Sequence, residues 1–168
     1  MKRYVALLRG INVGGHAKVA MADLRTVFES LGFDDVATYI QSGNVVFGSA
    51  APVDVRAVEQ RIADDLGVTP DVLLRTAEEI DAVVRGNPFA DTDGLHVTFL
   101  ADTPTGTVEA PAGQPDELAV VGREAYVRCP DGYGRTKLNN TFLEKRLGVP
   151  ATTRNWKTVV TLAEMARR

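Results

Sequence analysis

The stretch Val36-Ala-Thr-Tyr-Ile-Gln-Ser-Gly-Asn-Val-Val-Phe47 decides how the first half of this chain is interpreted. β-Branched and aromatic residues run from Val36 to Ile40 and return from Asn44 to Phe47, and this composition is typical of strands. Between these runs, Gln41-Ser-Gly-Asn44 contains Gly and Asn, which tolerate a positive φ. The stretch therefore predicts two strands joined by a short hairpin connection.

The segments on either side of this hairpin each predict a helix and a strand. Before it, Tyr4-Val-Ala-Leu-Leu8 predicts a strand, and apolar residues at helical spacing predict a helix from about Met21 to Leu31. After it, a second helix is predicted to begin near Pro52, because proline suits the first turn of a helix, and to end at Gly67. A fourth strand is predicted at Val72-Leu-Leu-Arg75. The resulting order of strand, helix, two strands, helix and strand is that of a ferredoxin-like fold.

A connecting helix is predicted after this first half. Thr76 and Glu79 have the spacing of a capping box, in which each side chain accepts a hydrogen bond from the other residue's backbone N–H. Pro88 prevents the helix from continuing. The predicted divisions are a ferredoxin-like subdomain at residues 1–76, a connecting helix and linker at residues 77–94, and an α+β subdomain at residues 95–168.

The second half repeats the first imperfectly, so the chain is predicted to be α+β with two similar subdomains, the second a degenerate repeat with terminal helices. The stretch that ends at Pro115 keeps no helical period and is predicted to be a loop or a degraded helix. The other elements predicted here are a strand at residues 95–100, a hairpin of residues 118–121 and 125–129, a helix near residues 138–147, and a last helix beginning near Thr153.

Composition sets limits on the class of protein. The chain has 168 residues, of which 45% are hydrophobic and 24% charged, and this fits one soluble domain or two small halves with a shared core. No stretch approaches the roughly 20 apolar residues of a transmembrane helix. The single cysteine, Cys129, is compatible with a reducing cytoplasm, and we expect a cytoplasmic protein.

The net charge of −3 is unevenly distributed along the chain. Residues 123–168 contain ten Lys or Arg and four Asp or Glu, a surplus of six positive charges, so the remainder carries nine excess negative charges. An acidic body argues against indiscriminate binding to nucleic acid, which needs broad positive coverage. The basic third of the chain is compatible with a localised anion site or with a solvated charged face.

The first loop has part of the pattern of a phosphate-binding P-loop. Gly10 and Gly15 have the required spacing after a strand, but a P-loop continues with Lys and then Ser or Thr. His16 and Ala17 stand at those positions, and Lys18 comes two residues late. Because alanine cannot hold Mg²⁺, the loop does not predict an NTPase.

A weaker anion site remains possible in the same loop. Gly14 and Gly15 could let backbone N–H groups converge on an anion, at a helix start where Ala20 offers no side-chain cap. The alternative is a tight turn in which Asn12 bonds to its own backbone. Gln41 could hydrogen-bond to a base or a sugar, but we expect its hairpin at the opposite end of the sheet from the first loop.

The segment from Arg135 to Lys157 contains the densest group of cations and amides. Two predicted helix starts lie in it, and cations and amides beside such helix ends could form a concavity for a phosphate or carboxylate. The alternative is purely structural, with Asn139 and Thr153 as helix caps and Trp156 as a core residue.

Other chemistry has little support in the sequence. Neither His16 nor His96 has the partners of a zinc site, and His96 is expected to be a core or edge residue of its strand. Cys129 lies on the inward face of a strand and is expected to be an inert thiol. No metal site is predicted, the catalytic residues and any cofactor are unknown, and the oligomeric state is not predicted.

Three segments carry a resemblance to a known family. Leu8-Arg-Gly-Ile-Asn-Val-Gly-Gly15, Tyr39-Ile-Gln-Ser-Gly-Asn-Val-Val-Phe47 and Thr153-Arg-Asn-Trp-Lys-Thr158, in this order, resemble the bacterial domain-of-unknown-function family 1697. Lys137-Leu-Asn-Asn140 falls where the family has a similar Lys-Leu motif. The resemblance implies an α+β fold of two similar subdomains, and it implies no activity.

The leading hypothesis is a cytoplasmic protein that binds an anionic ligand, phosphorylated or carboxylated, such as a nucleotide or a short nucleic acid. On this hypothesis Arg154→Ala weakens binding with little loss of stability. Two alternatives are an enzyme acting on a phosphorylated metabolite, with Asp131 or Glu144 as base, and a module that binds a protein partner through a sheet edge or an exposed helix. The predicted ligand-binding residues are Arg9, Asn12, Lys18, Lys137, Asn140, Arg154, Asn155 and Lys157.

Overall fold

The computed structural model of the chain describes residues 1–13 and 18–168. Its described residues form two four-stranded antiparallel sheets and five α-helices, so the predicted α+β class is confirmed. The strands are β1 (Lys2–Arg9), β2 (Asp34–Thr38), β3 (Asn44–Ser49), β4 (Asp71–Thr76), β5 (Leu95–Leu100), β6 (Glu117–Val121), β7 (Glu124–Arg128) and β8 (Ala151–Asn155). The helices are α1 (Met21–Ser30), α2 (Val55–Leu66), α3 (Ala77–Arg85), α4 (Asn140–Leu147) and α5 (Trp156–Arg167).

The chain divides into two compact units. Unit 1 comprises Met1–Asp81 together with Thr161–Arg168, and unit 2 comprises Ala82–Val160. The division falls inside α3 and inside α5, so the end of the last helix belongs to unit 1. The predicted boundaries lie at residues 76 and 94, whereas the division into compact units falls at residues 81 and 160.

In unit 1 the strands lie in the order β2-β3-β1-β4, and all neighbours are antiparallel. β1 is therefore hydrogen-bonded along both edges, with Leu7 opposite Asn44 on one side and opposite Leu73 on the other. Successive side chains of a strand point to opposite faces of the sheet. Both faces of β1 are buried, which explains why its sequence is a continuous apolar run.

Aromatic rings form the centre of the core of unit 1. Phe47, on β3, is fully buried, and its ring centroid lies 5.6 Å from that of Tyr4, 5.3 Å from Phe28 and 4.4 Å from Phe33. Phe28 belongs to α1, whose inward face was predicted from its helical spacing. These rings therefore join α1 to two strands of the sheet.

Unit 2 repeats the strand order of unit 1. Its strands lie in the order β6-β7-β5-β8, which is the order of β2-β3-β1-β4 with each strand replaced by its counterpart. Residues 101–116 contain no helix and occupy the sequence position at which unit 1 has α1. The predicted degenerate repeat is thus present, and the missing element is the first helix.

The strand β8 was missed in the sequence analysis. Thr153 was predicted to begin the last helix, but it lies within β8, opposite Thr98 of β5, and α5 begins at Trp156. The error arose because β8 leads directly into α5 with no turn residue between them. The β-branched pair Thr152-Thr153 is the local signal that favours a strand.

The start of α2 also differs from the prediction. The helix begins at Val55, because the Asp54 carboxylate accepts hydrogen bonds from the backbone N–H groups of Arg56 and Ala57 at 3.1 and 3.3 Å. Pro52 lies outside the helix. A side-chain cap therefore set the helix start more strongly than the proline did.

Both sheets end in a strand that passes directly into a capped helix. The predicted capping box is confirmed: Thr76 N–H donates to the Glu79 carboxylate at 2.9 Å, and Glu79 N–H donates to the Thr76 hydroxyl at 3.1 Å. At the same place in unit 2, Thr158 N–H donates to the side-chain oxygen of Asn155 at 2.9 Å. The repeat thus extends to the helix caps.

Within residues 1–13 and 18–168, none of the helices is both long enough and apolar enough to span a lipid bilayer.

Removal of the Phe47 ring should destabilise the protein strongly. Because this ring is fully buried among three other rings, Phe47→Ala should lower the free energy of unfolding by about 3–5 kcal/mol, as measured by urea denaturation. Val13→Ala, at a side chain that is 65% exposed, is the matched control and should change stability by less than about 0.5 kcal/mol. Equal effects of the two substitutions would contradict this description of the core.

Candidate functional site

A hollow of about 440 Å³ lies in unit 1, beside the start of α1. We call it the α1 hollow. Three of its lining residues precede α1, one follows β1, and one belongs to the hairpin connection between β2 and β3. The lining residues are Asn12, Lys18, Val19, Ala20 and Gln41.

The side chain of Asn12 ties together the two chain segments that border the α1 hollow. Its amide nitrogen donates to the carbonyl oxygens of Val19, at 3.0 Å, and Gln41, at 2.7 Å. Its side-chain oxygen accepts from Val19 N–H at 2.8 Å. A primary amide has only two N–H donors, and both are used here. Asn12 therefore positions the walls of the hollow, and any direct contact with a ligand would have to use its oxygen.

The hairpin that contains Gln41 lies at the same end of the sheet as the first loop, so the expectation that the two lie at opposite ends was wrong. β1 and β3 are antiparallel, and the end of β1 consequently meets the start of β3, with Leu7 opposite Asn44. Leu8 N–H also donates to the carbonyl of Gly43 at 2.9 Å. The topology thus brings the two polar loops together.

Gly43 is required at this junction for two reasons. Its φ is 85°, in the left-handed region that side chains disfavour. A Cβ atom at this position would also lie 2.8 Å from the Ile11 side chain and 3.0 Å from Cβ of Leu8. The glycine allows the hairpin to approach the end of β1 closely.

The start of α1 supplies partial positive charge beside the hollow. Ala20, the N-cap residue, has no side chain that could accept a hydrogen bond from the first turn. The backbone N–H groups at a helix start favour anions, and the exposed Lys18 adds a full charge at the same place. Residues 14–17, which include the predicted phosphate-loop positions His16 and Ala17, lie outside the described residues.

Arg9 lies near this end of β1 but does not line the α1 hollow. Its guanidinium forms a salt bridge with the Asp71 carboxylate at 3.4 Å, and the two side chains are 37% and 51% exposed. Such an exposed pair contributes little to stability, but it partly neutralises the charge that a ligand would meet.

In unit 2, Asn140 is part of a chain of hydrogen bonds that links α4 to the sheet. The Thr98 and Thr153 hydroxyls lie 2.8 Å apart, and the Thr153 hydroxyl donates to the Asn140 side-chain oxygen at 2.8 Å. The Asn140 side-chain nitrogen donates to the Ala151 carbonyl at 2.9 Å. Asn139 caps α4 by accepting from Phe142 N–H at 3.0 Å, as the structural alternative predicted.

Arg154 lies inside unit 2 and is only 6% exposed. Its guanidinium donates to the Thr152 hydroxyl at 2.6 Å and to the Thr153 carbonyl at 3.0 Å. Burial lowers the pKa of Arg154 to about 10, so the side chain remains cationic at neutral pH. The expectation that Arg154 could be replaced with little loss of stability does not fit this burial.

The other predicted residues of unit 2 differ in their exposure and in the hydrogen bonds that their side chains form. Lys137 and Lys157 are exposed, whereas the Asn155 side chain caps α5. Glu144, considered as a base, accepts a hydrogen bond from Ala151 N–H at 2.8 Å and so helps to join α4 to β8. Of the predicted ligand-binding residues in unit 2, Lys137 and Lys157 are therefore the two exposed cations.

The close pair of tilted rings formed by His96 and Tyr133 was not predicted from the sequence. Their ring centroids lie 4.5 Å apart, and His96 Nδ1 lies 3.3 Å from the Gly94 carbonyl oxygen, a contact that an Nδ1–H group can donate. Burial lowers the pKa of His96, and burial raises the pKa of Tyr133. The pairing is long-range in sequence, and no local motif signals it.

Cys129 is fully buried, and burial raises the pKa of its thiol, in agreement with the expected inert cysteine. In the described part of the chain, no three His, Cys, Asp or Glu side chains are grouped so that they could hold a metal ion.

Replacement of Arg154 by alanine should lower the free energy of unfolding. Arg154→Ala leaves the buried Thr152 hydroxyl without its partner, and we expect a loss of about 1–3 kcal/mol from that group, with the cost of the vacated volume in addition. Urea denaturation measures the change. Arg135→Ala, at an exposed arginine of the same unit, is the control and should cost less than about 0.5 kcal/mol. A wild-type stability for Arg154→Ala would contradict the buried placement.

His96 should make stability depend on pH. Its pKa is lowered in the folded state, so the unfolded chain takes up the proton first as the pH falls below about 6.5, and the free energy of unfolding then decreases. Above about pH 7.5 both states are neutral at this residue, and its contribution is complete. His96→Phe keeps a ring for Tyr133 and should show a smaller loss of stability between about pH 7.5 and about pH 5.5 in parallel urea titrations. The same loss in both proteins would exclude His96 as a cause.

The comparisons with known proteins agree with this architecture and assign no activity. Residues 1–126 match the family model described as "Protein of unknown function (DUF1697)". The solved structure of conserved bacterial protein SP0830 from Streptococcus pneumoniae matches with a TM-score of 0.71 at 26% identity, over 98% of this chain and 98% of that one. No curated protein matches the chain. The chain belongs to the DUF1697 family of proteins of unknown function.

Proposed function

We propose that this protein binds a small anionic ligand, carrying a phosphate or carboxylate group, in the α1 hollow. The observation that carries the proposal is the placement of Lys18 beside the start of α1, in a hollow whose walls are held by the Asn12 side chain. Of the predicted ligand-binding residues in unit 1, Lys18 is the direct electrostatic contact and Asn12 positions the hollow. Arg9, through its exposed pair with Asp71, contributes to the surrounding charge.

The size of the hollow is compatible with a small molecule. Ligand sites in proteins commonly enclose about 300–1,000 Å³, and the α1 hollow falls within this range at about 440 Å³. A nucleotide or a sugar phosphate is the class of ligand we favour, because Gln41 also lines the hollow and a glutamine amide can both donate to and accept from a base or a sugar.

The charges around α1 favour an anion over a cation at this position. Lys18 is exposed, and the helix start contributes about half a positive charge. Asp23, in the first turn of α1, opposes this effect, but it does not line the hollow. Binding should therefore weaken as salt screens the lysine.

The predicted residues of unit 2 support anion binding to different degrees. Lys137 and Lys157 are exposed cations near the starts of α4 and α5, and they support a second anion contact in that unit. Asn140, Arg154 and Asn155 support it only indirectly, because their side chains hold the sheet and helices of unit 2 together. The net charge of −3 supports a small ligand over a long nucleic acid.

We also propose a ferredoxin-like fold for unit 1 and a cytoplasmic location for the protein. A ferredoxin-like fold for unit 1 is supported by the element order β1-α1-β2-β3-α2-β4 and the strand order β2-β3-β1-β4. A cytoplasmic location is supported by the single, buried, free cysteine.

Lys18→Ala should weaken anion binding and leave the fold intact. The probes are inorganic phosphate, citrate and adenosine monophosphate, measured by thermal shift and by isothermal titration calorimetry. A charge-assisted hydrogen bond contributes about 1.5–3 kcal/mol, so the dissociation constant should rise roughly 10- to 100-fold.

The control for this experiment is Lys145→Ala, which removes an exposed lysine from α4 and leaves the α1 hollow unchanged. It should bind the probe as the wild type does. An equal loss of affinity in both variants would show that binding follows overall charge, and an unchanged affinity in Lys18→Ala would refute the α1 hollow as the site.

A further inference from the structure

Strand β6 forms one edge of the sheet of unit 2 and carries exposed apolar side chains. Val120 and Val121 are 38% and 53% exposed. In an edge strand every second residue directs its N–H and C=O groups away from the sheet, and these groups can pair with another strand. β6 therefore offers both backbone hydrogen-bonding groups and apolar side chains at one edge.

The corresponding edge of unit 1 is interrupted by an irregular segment, whereas β6 has no such interruption and carries one charged residue, Glu117. In β2 the pairing with β3 shifts register between Asp34 and Ala37, and Asp35 has a φ of 48° in this irregular segment. Bulges and charged residues at an edge are the devices that prevent strands from pairing with other molecules. By contrast, β6 keeps a continuous register with β7 from Glu117 to Val121.

The turn that follows β6 keeps this strand regular up to its end. Gly122 has a φ of 58°, and Arg123 is not among the residues with positive φ, as in the type II′ turn that suits a two-residue hairpin. Val121 and Glu124 are direct partners across this turn. The edge strand thus keeps an unbroken register over five residues.

We propose that β6 pairs antiparallel with β6 of a second copy of this chain, about a twofold axis through Ala119. In this register Leu118 of each copy lies opposite Val120 of the other. Both residues are on the sheet face that packs against α4, because they pair with Val127 and Ala125 of the same apolar cluster. The pairing therefore covers an exposed valine with leucine twice, once on each side of the axis.

The charges in and beside β6 are compatible with β6 of a second copy as the partner strand. The same register sets Glu117 opposite Val121 of the second copy, so no like charges face each other. It also brings the Arg123 end of one strand beside Asp116 and Glu117 of the other, which are opposite in charge and also accept hydrogen bonds from Thr136 and Arg128 of their own chain. A sequence that is complementary to itself in this way favours a second copy over an unrelated extended peptide.

Sedimentation equilibrium of the full chain tests the pairing. The wild type should show a concentration-dependent mass that approaches twice 18.1 kDa, and Val120→Lys should remain at 18.1 kDa at every concentration. Val13→Lys, at another exposed valine, is the matched control and should associate as the wild type does. A wild type that stays monomeric, or a Val120→Lys variant that still dimerises, would overturn the proposal.

A cysteine variant tests the register and does not depend on a charged substitution. Cys129 is fully buried, so Ala119→Cys adds one accessible thiol. Residues directly opposite each other in an antiparallel pair have Cβ atoms about 4.5–5.5 Å apart, near the separation in a disulfide. Mild oxidation should link Ala119→Cys into a covalent dimer and leave the exposed Ala57→Cys variant largely monomeric, whereas equal linking of the two variants would reject the register.

Discussion

The antiparallel pairing of one central strand with two neighbours is the constraint on which each unit depends. β1 lies between β3 and β4, and β5 lies between β7 and β8. A strand paired on both edges and buried on both faces cannot shift its register without moving every side chain to the wrong face. The loops that leave such a strand are therefore held in fixed positions, and the polar residues on them are brought together by the sheet.

In unit 1 this constraint produces the α1 hollow. The register that sets Leu7 opposite Asn44 brings the first loop and the hairpin to one end of the sheet. Gly43 allows the close approach, and the Asn12 side chain then fixes the two segments with three hydrogen bonds. The hollow follows from the fold, and Lys18 places a positive charge on its lining.

Much of the fold could be predicted from the sequence because its signals are local. Helical spacing located α1, a glycine located the end of α2, and the spacing of Thr76 and Glu79 located α3. The strand β8 was missed because the sequence marks no boundary between it and α5. A comparison of the two halves reveals it, since Thr152-Thr153-Arg154-Asn155 stands where unit 1 has Leu73-Leu74-Arg75-Thr76, a strand with a buried arginine before a helix cap.

The candidate site was harder to predict, because its contacts are not local in sequence. Contacts such as those of Asn12 with Gln41 and of Asn140 with Thr153 join residues far apart in sequence, so no local pattern indicates them. Asn12, Asn140 and Arg154 were therefore interpreted as ligand contacts, although their hydrogen bonds go to the protein's own backbone and to threonine hydroxyls. Lys18, which lines a hollow with an exposed charge, is the predicted residue whose geometry best suits a ligand.

Nuclear magnetic resonance can test the claim that the fold holds an anion at the start of α1, because it reports on the backbone amides there. Titration of the ¹⁵N-labelled protein with inorganic phosphate should shift the backbone amide signals of Lys18, Met21 and Ala22 in a saturable way. The amides at the start of α4 should shift less. Signals at α1 that stay unchanged, while those of exposed lysines elsewhere move in proportion to ionic strength, would contradict the claim.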